Sequence, residues 1–181
     1  MGLIRSEKGF TLLEMLIVVG ILGVIMGVMT MSVAMIMKVS PQNNDWTIAL
    51  RRVQNAGYWI SRDVQMAQTI DPNPTAPNFL ILTLPVMDID TQTIINKTFI
   101  YKLEDMNGGM KKLTRTDQDT GQQITIAEYI YYAPDTDPQN STMVINYDAQ
   151  SRVLTVRITA SSGTKRASRN YEAAQRVPAA S

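Results

Sequence analysis

A long uncharged run near the start of the chain most limits what this sequence can become. From Phe10 to Met37 almost every side chain is apolar or small, and Lys38 ends the run. A helix needs about 20 apolar residues to span a bilayer, so this stretch is long enough to cross a membrane. Between Lys8 and Lys38 the only ionisable side chain is that of Glu14. A carboxylate at the bilayer centre costs roughly 2.5–3.5 kcal/mol on insertion scales, so Glu14 requires an explanation.

Two general explanations compete for this segment. A secretory signal peptide has an apolar core of about 7–15 residues before a small-residue cleavage site. Ser32-Val33-Ala34 could serve as that site, but the apolar run is about twice too long. A plain signal-anchor helix is physically sound, because Glu14 would lie near the cytoplasmic face. It leaves the glycine–phenylalanine junction at the start of the run unexplained.

That junction resembles the prepilin signal of type IV pilins and pseudopilins. Residues 8–19, which carry the resemblance, read KGFTLLEMLIVV. The resemblance implies that a prepilin peptidase cuts between Gly9 and Phe10 and methylates the new N-terminus at Phe10. It also implies that Glu14 pairs with the N-terminal amine of a neighbouring subunit when the helices form the apolar core of a filament. An unpaired charge there would be costly.

Simpler structural explanations exist for two features of the run. An acid such as Glu14 near a helix N-terminus is mildly stabilised by the helix dipole. Gly20, Gly23 and Gly27 either allow softening and close helix packing or reflect how common glycine is in membrane helices. The first proline is Pro41, beyond the run, so no proline-centred bend is predicted inside it.

Composition limits the chemistry available to the chain. It has 181 residues, no histidine and no cysteine. The Ser-His-Asp triad, a cysteine nucleophile and the usual zinc ligand sets are therefore unavailable, and no Walker-type phosphate loop occurs. We expect no enzymatic activity, no catalytic residue, no metal site and no cofactor. The net charge of +1 gives no firm case for nucleic acid as a partner.

The leader predicts how the chain is oriented in the inner membrane. Arg5 and Lys8 precede the apolar run, so the positive-inside rule places the N-terminus in the cytoplasm. The C-terminal part is then extracytoplasmic in a single-pass protein. We therefore divide the chain into a leader (1–9), a transmembrane and assembly helix (10–39), and an exported remainder.

The next segment, residues 40–71, has the pattern of an amphipathic helix. Pro41 indicates a break, and Asp45 is a plausible N-cap for a helix that begins at Trp46. Apolar residues then recur at three- and four-residue spacing: Trp46, Ala49, Leu50, Val53, Ala56, Ile60, Val64 and Ala67. Polar residues, including Arg52 and Asp63, are predicted to lie largely on the other side.

A change of period marks the second half of the chain. After a proline-rich linker at 72–78, residues 79–160 alternate in strand fashion and predict an antiparallel sheet of about six strands. Residues 142–147 and 152–159 face each other as a hairpin. Residues 161–181 form a basic tail or an edge strand. A long N-terminal helix packed on a small antiparallel sheet is an α+β, pilin-like architecture.

A second, shorter resemblance concerns the end of the predicted helix. Residues 58–67, YWISRDVQMA, are similar to the helix end in J-type pseudopilins of type II secretion and W-type minor pilins. The similarity implies a minor subunit of a type IV pilus or type II secretion machine, with other pilin subunits as partners through the N-terminal helices. The contrasting hypothesis is a single-pass membrane-anchored extracytoplasmic binding domain that does not polymerise.

Overall fold

The computed structural model describes residues 11–89 and 91–176. The chain divides into two compact units, Met1–Asn43 and Asn44–Ser181. The α+β fold is confirmed, because an N-terminal helix is followed by an antiparallel sheet.

Helix α1 has the bounds Leu12–Met66. The predicted break at Pro41 does not end it. Proline removes one backbone donor, which can distort a helix without terminating it. Asp45 consequently lies inside α1 and is not its N-cap; its carboxylate accepts a hydrogen bond from Ser162 at 3.3 Å.

Eight strands form one antiparallel sheet in the described part of the chain. They are β1 (Thr69–Asp71), β2 (Asn78–Met87), β3 (Ile94–Asp105), β4 (Lys111–Asp117), β5 (Gln123–Ile130), β6 (Met143–Asp148), β7 (Val153–Ser162) and β8 (Lys165–Ala174). Their order is β1-β2-β3-β4-β5-β7-β6, and β8 pairs with β7. The hairpin predicted from residues 142–159 is the β6–β7 pair.

Two strands beyond the predicted six account for the difference in number. The helix was predicted to reach residue 71, but α1 ends at Met66 and β1 pairs with the middle of β2. In the segment 161–181, for which a basic tail or an edge strand was predicted, β8 pairs with β7 along ten residues. Each segment becomes a strand by pairing with the strand next to it in the chain, β1 with β2 and β8 with β7. Strand preference depends strongly on such pairing, so the residues of a short segment do not reveal it by themselves.

The core of the second unit lies between the apolar stripe of α1 and one face of the sheet. Six stripe residues are buried: Ala49, Val53, Ala56, Ile60, Val64 and Ala67. Leu80, Leu82, Leu113 and Ile158 are among the sheet residues in the same cluster. Trp46, predicted in the stripe, is instead 49% exposed. A helix with one apolar stripe needs such a cover, because neither layer makes a core alone.

Candidate functional site

The described part of the predicted site begins at a helix cap. Gly9 and Phe10, the residues at the predicted cleavage junction, lie outside the described residues. Thr11 precedes α1, and its Oγ1 accepts a hydrogen bond from the backbone N–H of Glu14 at 3.3 Å. Thr11 and Glu14 have the spacing of a capping box, in which a threonine at the N-cap satisfies a free helix donor. Glu14 therefore occupies the first turn of α1.

The apolar span begins directly after this cap. Leu12–Met37 is long and apolar enough to cross a membrane, and none of it is buried within the chain. At about 1.5 Å per residue its 26 residues extend about 39 Å, more than the ~30 Å of a bilayer core. The two hydroxyls near its end are satisfied internally, since Thr30 donates to the carbonyl of Met26 and Ser32 to that of Val28. The segment thus presents apolar side chains all round and fits a membrane-anchored protein.

The three glycines of the span share one helix face. Gly20, Gly23 and Gly27 are separated by three and four residues, which places them on the same side. Apart from the adjacent residues and the nearby backbone of the helix itself, no atom of the described residues lies within 4 Å of a Cβ built on any of them. Space for close approach of another helix is therefore present, and their packing role stays a prediction.

A buried ionic cluster, missed by the sequence prediction, connects α1 to the sheet. Asp63 was predicted on the polar side of the helix, but its side chain is fully buried. Arg115 on β4 donates from Nε to Asp63 Oδ2 at 2.6 Å, and the hydroxyl of Tyr101 on β3 donates to the same oxygen at 2.8 Å. Oδ1 has no hydrogen-bond partner among the described residues and lies 3.7 Å from Nε of Arg62.

Aromatic rings hold the arginines of this cluster in place. The guanidinium of Arg115 lies 3.6 Å from the ring centre of Phe99, and that of Arg62 lies 4.7 Å from the ring of Trp59. Burial, together with the negative charge of Asp63, raises the pKa of the Tyr101 hydroxyl well above its ordinary value. The phenol therefore stays protonated and remains a donor to the carboxylate.

The position of Asp63 in the sequence contained a weak indication of burial. It lies three residues after Ile60 and four before Ala67, so it falls within the span of the apolar stripe. The prediction grouped it with the polar residues on the other side of the helix, and acids are in fact seldom buried unless paired. Only the approach of Arg115, 52 residues away, makes burial possible.

The three basic residues of β4 have partners within the domain. Lys111 pairs with Asp105, Lys112 with Glu104 at 3.0 Å, and Arg115 with Asp63. In the C-terminal segment Arg166 lies over the ring of Tyr131 at 3.7 Å. These four cationic side chains therefore already form ion pairs or cation–π contacts within the domain.

Comparison with known families bears on the N-terminal segment. The chain matches the prokaryotic N-terminal methylation motif over residues 4–30. No curated protein and no solved structure gave a significant match. The match supports the type IV pilin and pseudopilin family, as residues 8–19 predicted. Such a motif implies processing by a prepilin peptidase and assembly with other pilins.

Proposed function

We propose that this chain is a minor pilin or pseudopilin subunit of a type IV pilus or type II secretion machine. The observation that carries the proposal is the methylation motif at residues 4–30, followed by an apolar helix that its own chain leaves uncovered. After cleavage the protein is held in the inner membrane with its N-terminus in the cytoplasm and its folded domain outside. It then enters a filament, and its action is mechanical and non-catalytic.

The uncovered helix supports assembly through a physical argument. Apolar surface along Leu12–Met37 has to be covered by lipid or by other helices. Moving from lipid into a bundle of like helices keeps that surface out of water. The new N-terminal amine at Phe10 would then be buried, and a neighbour's Glu14 is an acid at the matching end of the helix.

Support for a minor subunit comes from the end of the helix. Residues 58–67, which resemble J-type pseudopilins and W-type minor pilins, include Asp63 and Trp59. Asp63 fixes α1 against β3 and β4, so this segment has a structural role in the domain. We take its resemblance as an indication of subunit type within the assembly.

Processing is tested by mass spectrometry of the membrane fraction. We expect a mature N-terminus at Phe10 that carries a methyl group. Gly9→Val should leave the leader attached, because a side chain at the junction should block the peptidase. Gly2→Val is the matched control, since it lies in the same leader away from the junction and should be cleaved normally. Uncleaved wild-type chain beside an active prepilin peptidase would contradict the proposal.

Assembly is tested separately with Glu14→Val. The variant should insert in the membrane, since an apolar residue replaces an acid. It should also lose its leader, because the cut depends mainly on Gly9 and its surroundings. It should be poorly recovered with other pilins from sheared filaments or crosslinked membranes, because a buried amine loses its partner. Thr30→Val is the control, as the Thr30 hydroxyl bonds only within the helix. Equal recovery of Glu14→Val would favour the non-polymerising membrane-anchored binding domain.

A further inference from the structure

The outer side of α1 in the second unit carries an exposed stripe of arginine and tyrosine. Arg51, Tyr58 and Arg62 are spaced by seven and four residues, so they lie on one helix face. Arg51 and Tyr58 are exposed, with Tyr58 keeping 61% of its surface in contact with solvent, and the Arg62 side chain is partly exposed. We call these three residues the arginine–tyrosine face.

Only some of the charged side chains on this part of the helix have partners inside the domain. Between Asn44 and Met66 the sequence has three arginines and two aspartates. Both aspartate side chains accept hydrogen bonds inside the domain: Asp45 from Ser162, and Asp63 from Arg115 and Tyr101. One of the three arginines also has partners inside the domain: Arg52 donates to the carbonyl of Ser161 at 2.5 Å and lies over the ring of Tyr129.

The guanidinium groups of the other two arginines, Arg51 and Arg62, remain able to bind an acidic partner. The Arg51 side chain has no ion pair or hydrogen bond with any residue that the structure describes. The Arg62 side chain is 45% exposed, and its nearest acid, at 3.7 Å, is the already paired Asp63. The arginine–tyrosine face therefore carries positive charge that the domain does not neutralise.

Arg62 is also held in an orientation suited to recognition. Its guanidinium lies over the ring of Trp59, and Trp59 meets Tyr58 edge to face with ring centres 6.4 Å apart. A guanidinium stacked on an aromatic ring loses little further freedom when its N–H groups bind a carboxylate. Arginine, tyrosine and tryptophan are also the residues most enriched at protein–protein hot spots.

We propose that the arginine–tyrosine face docks a carboxylate-bearing surface of another subunit in the same assembly, a partner choice that rests on the proposed function. Arg51 and Arg62 are eleven residues apart, about 16 Å along the helix, which fits two separate acidic side chains. Nucleic acid would present phosphates far more densely, at about one per 3.4 Å of each strand. Tyr58 lies between the arginines and supplies the apolar contact at the centre.

Charge reversal in the full chain tests this surface. Arg51→Glu/Arg62→Glu should reduce recovery with other pilins from sheared filaments or crosslinked membranes about tenfold, because like charges would then face each other. Because Arg62 borders the buried Asp63, Arg51→Glu alone is a second variant that leaves the cluster intact and should still reduce recovery. Lys165→Glu/Arg169→Glu on β8 makes the same charge change elsewhere and should leave recovery unchanged. Equal recovery of Arg51→Glu and wild type would overturn the proposal.

A photo-crosslinking residue in place of Tyr58 identifies what the face touches. We expect crosslinks to a peptide that contains Asp or Glu, in another chain with an N-terminal methylation motif. Lysine in place of those acids should restore recovery of Arg51→Glu. Crosslinks confined to lipid or to DNA, or no restoration, would overturn the proposal. Absence of the wild-type chain from the filaments would instead refute the proposed function, and the docking surface with it.

Discussion

Nε of Arg115 lies 2.6 Å from Oδ2 of Asp63, and this contact joins strand β4 to the buried side of helix α1. The Tyr101 hydroxyl reaches the same oxygen from β3. One carboxylate therefore contacts two neighbouring strands, and its charge is compensated only when α1 and the sheet are in their native register. A buried ionic contact of this kind opposes sliding of the helix along the sheet, because each alternative position leaves a charge unpaired.

We predict that Arg115→Met lowers the free energy of unfolding by about 3–5 kcal/mol, because it leaves the Asp63 carboxylate buried without its cation. Asp63→Leu/Arg115→Met should recover much of that loss, since both charges are removed. Arg169→Met, at an exposed position on β8, is the control and should change stability by about 0.5 kcal/mol or less. Urea unfolding of the full chain in mild detergent measures all three. A neutral effect of Arg115→Met would contradict the role of the cluster.

We predict that the protonated hydroxyl of Tyr101 makes the free energy of unfolding depend on pH in the alkaline range. Its pKa in the folded protein is raised, by burial first and by Asp63 second, above the ordinary value of 10.0. The folded state then holds a proton that the unfolded state releases, so this contribution is present below about pH 10 and is lost as pH rises further. We expect Tyr101→Phe to reduce the alkaline slope of unfolding free energy by up to about 1.4 kcal/mol per pH unit. Identical slopes would show that the phenol does not contribute.

Gly57 should tolerate no side chain despite its place in a helix. A Cβ there would overlap the ring of Tyr171 on β8, whose hydroxyl donates to the carbonyl of Val53. Alanine normally stabilises a helix by about 1 kcal/mol relative to glycine. We predict that Gly57→Ala instead destabilises the protein by about 1–3 kcal/mol, because the overlap forces the β8 side away from the helix.

A double-mutant cycle and a surface control check the Gly57 prediction by thermal unfolding. In a Tyr171→Ala background the cost of Gly57→Ala should disappear, because the ring that it meets is gone. Gln54→Ala, at an exposed position of the same helix, should be close to neutral. Additive effects of the Gly57 and Tyr171 changes would rule out the steric explanation.

The second unit should fold without the apolar span. Residues 44–181 form a compact unit that contains the whole hydrophobic cluster, whereas the exposed apolar residues are concentrated between Leu12 and Met37. A fragment of residues 44–181 should therefore be soluble and monomeric, with mixed helix and sheet by circular dichroism. An all-helical spectrum, or aggregation in every buffer tried, would count against this prediction. The full chain in detergent serves as the reference.

Local sequence was sufficient for the features that depend on neighbouring residues. The methylation motif, the apolar span and the isolated Glu14 are continuous in the chain, so they could be identified without a fold. The stripe from Ala49 to Ala67 could be predicted from helical period, because a helix places residues three and four apart on one side. The β6–β7 hairpin could be predicted from two short strands separated by a turn.

Tertiary structure alone decided which side chain is buried against its chemical preference and which helix position has no room for a side chain. Asp63 looks like a surface acid until Tyr101 and Arg115, 38 and 52 residues away, come into contact with it. Gly57 looks like a weak point of the helix until Tyr171 packs on it. The free energy of burying a charge or of filling a space depends on the groups that lie opposite, and residues distant in sequence supply those groups only in the folded chain.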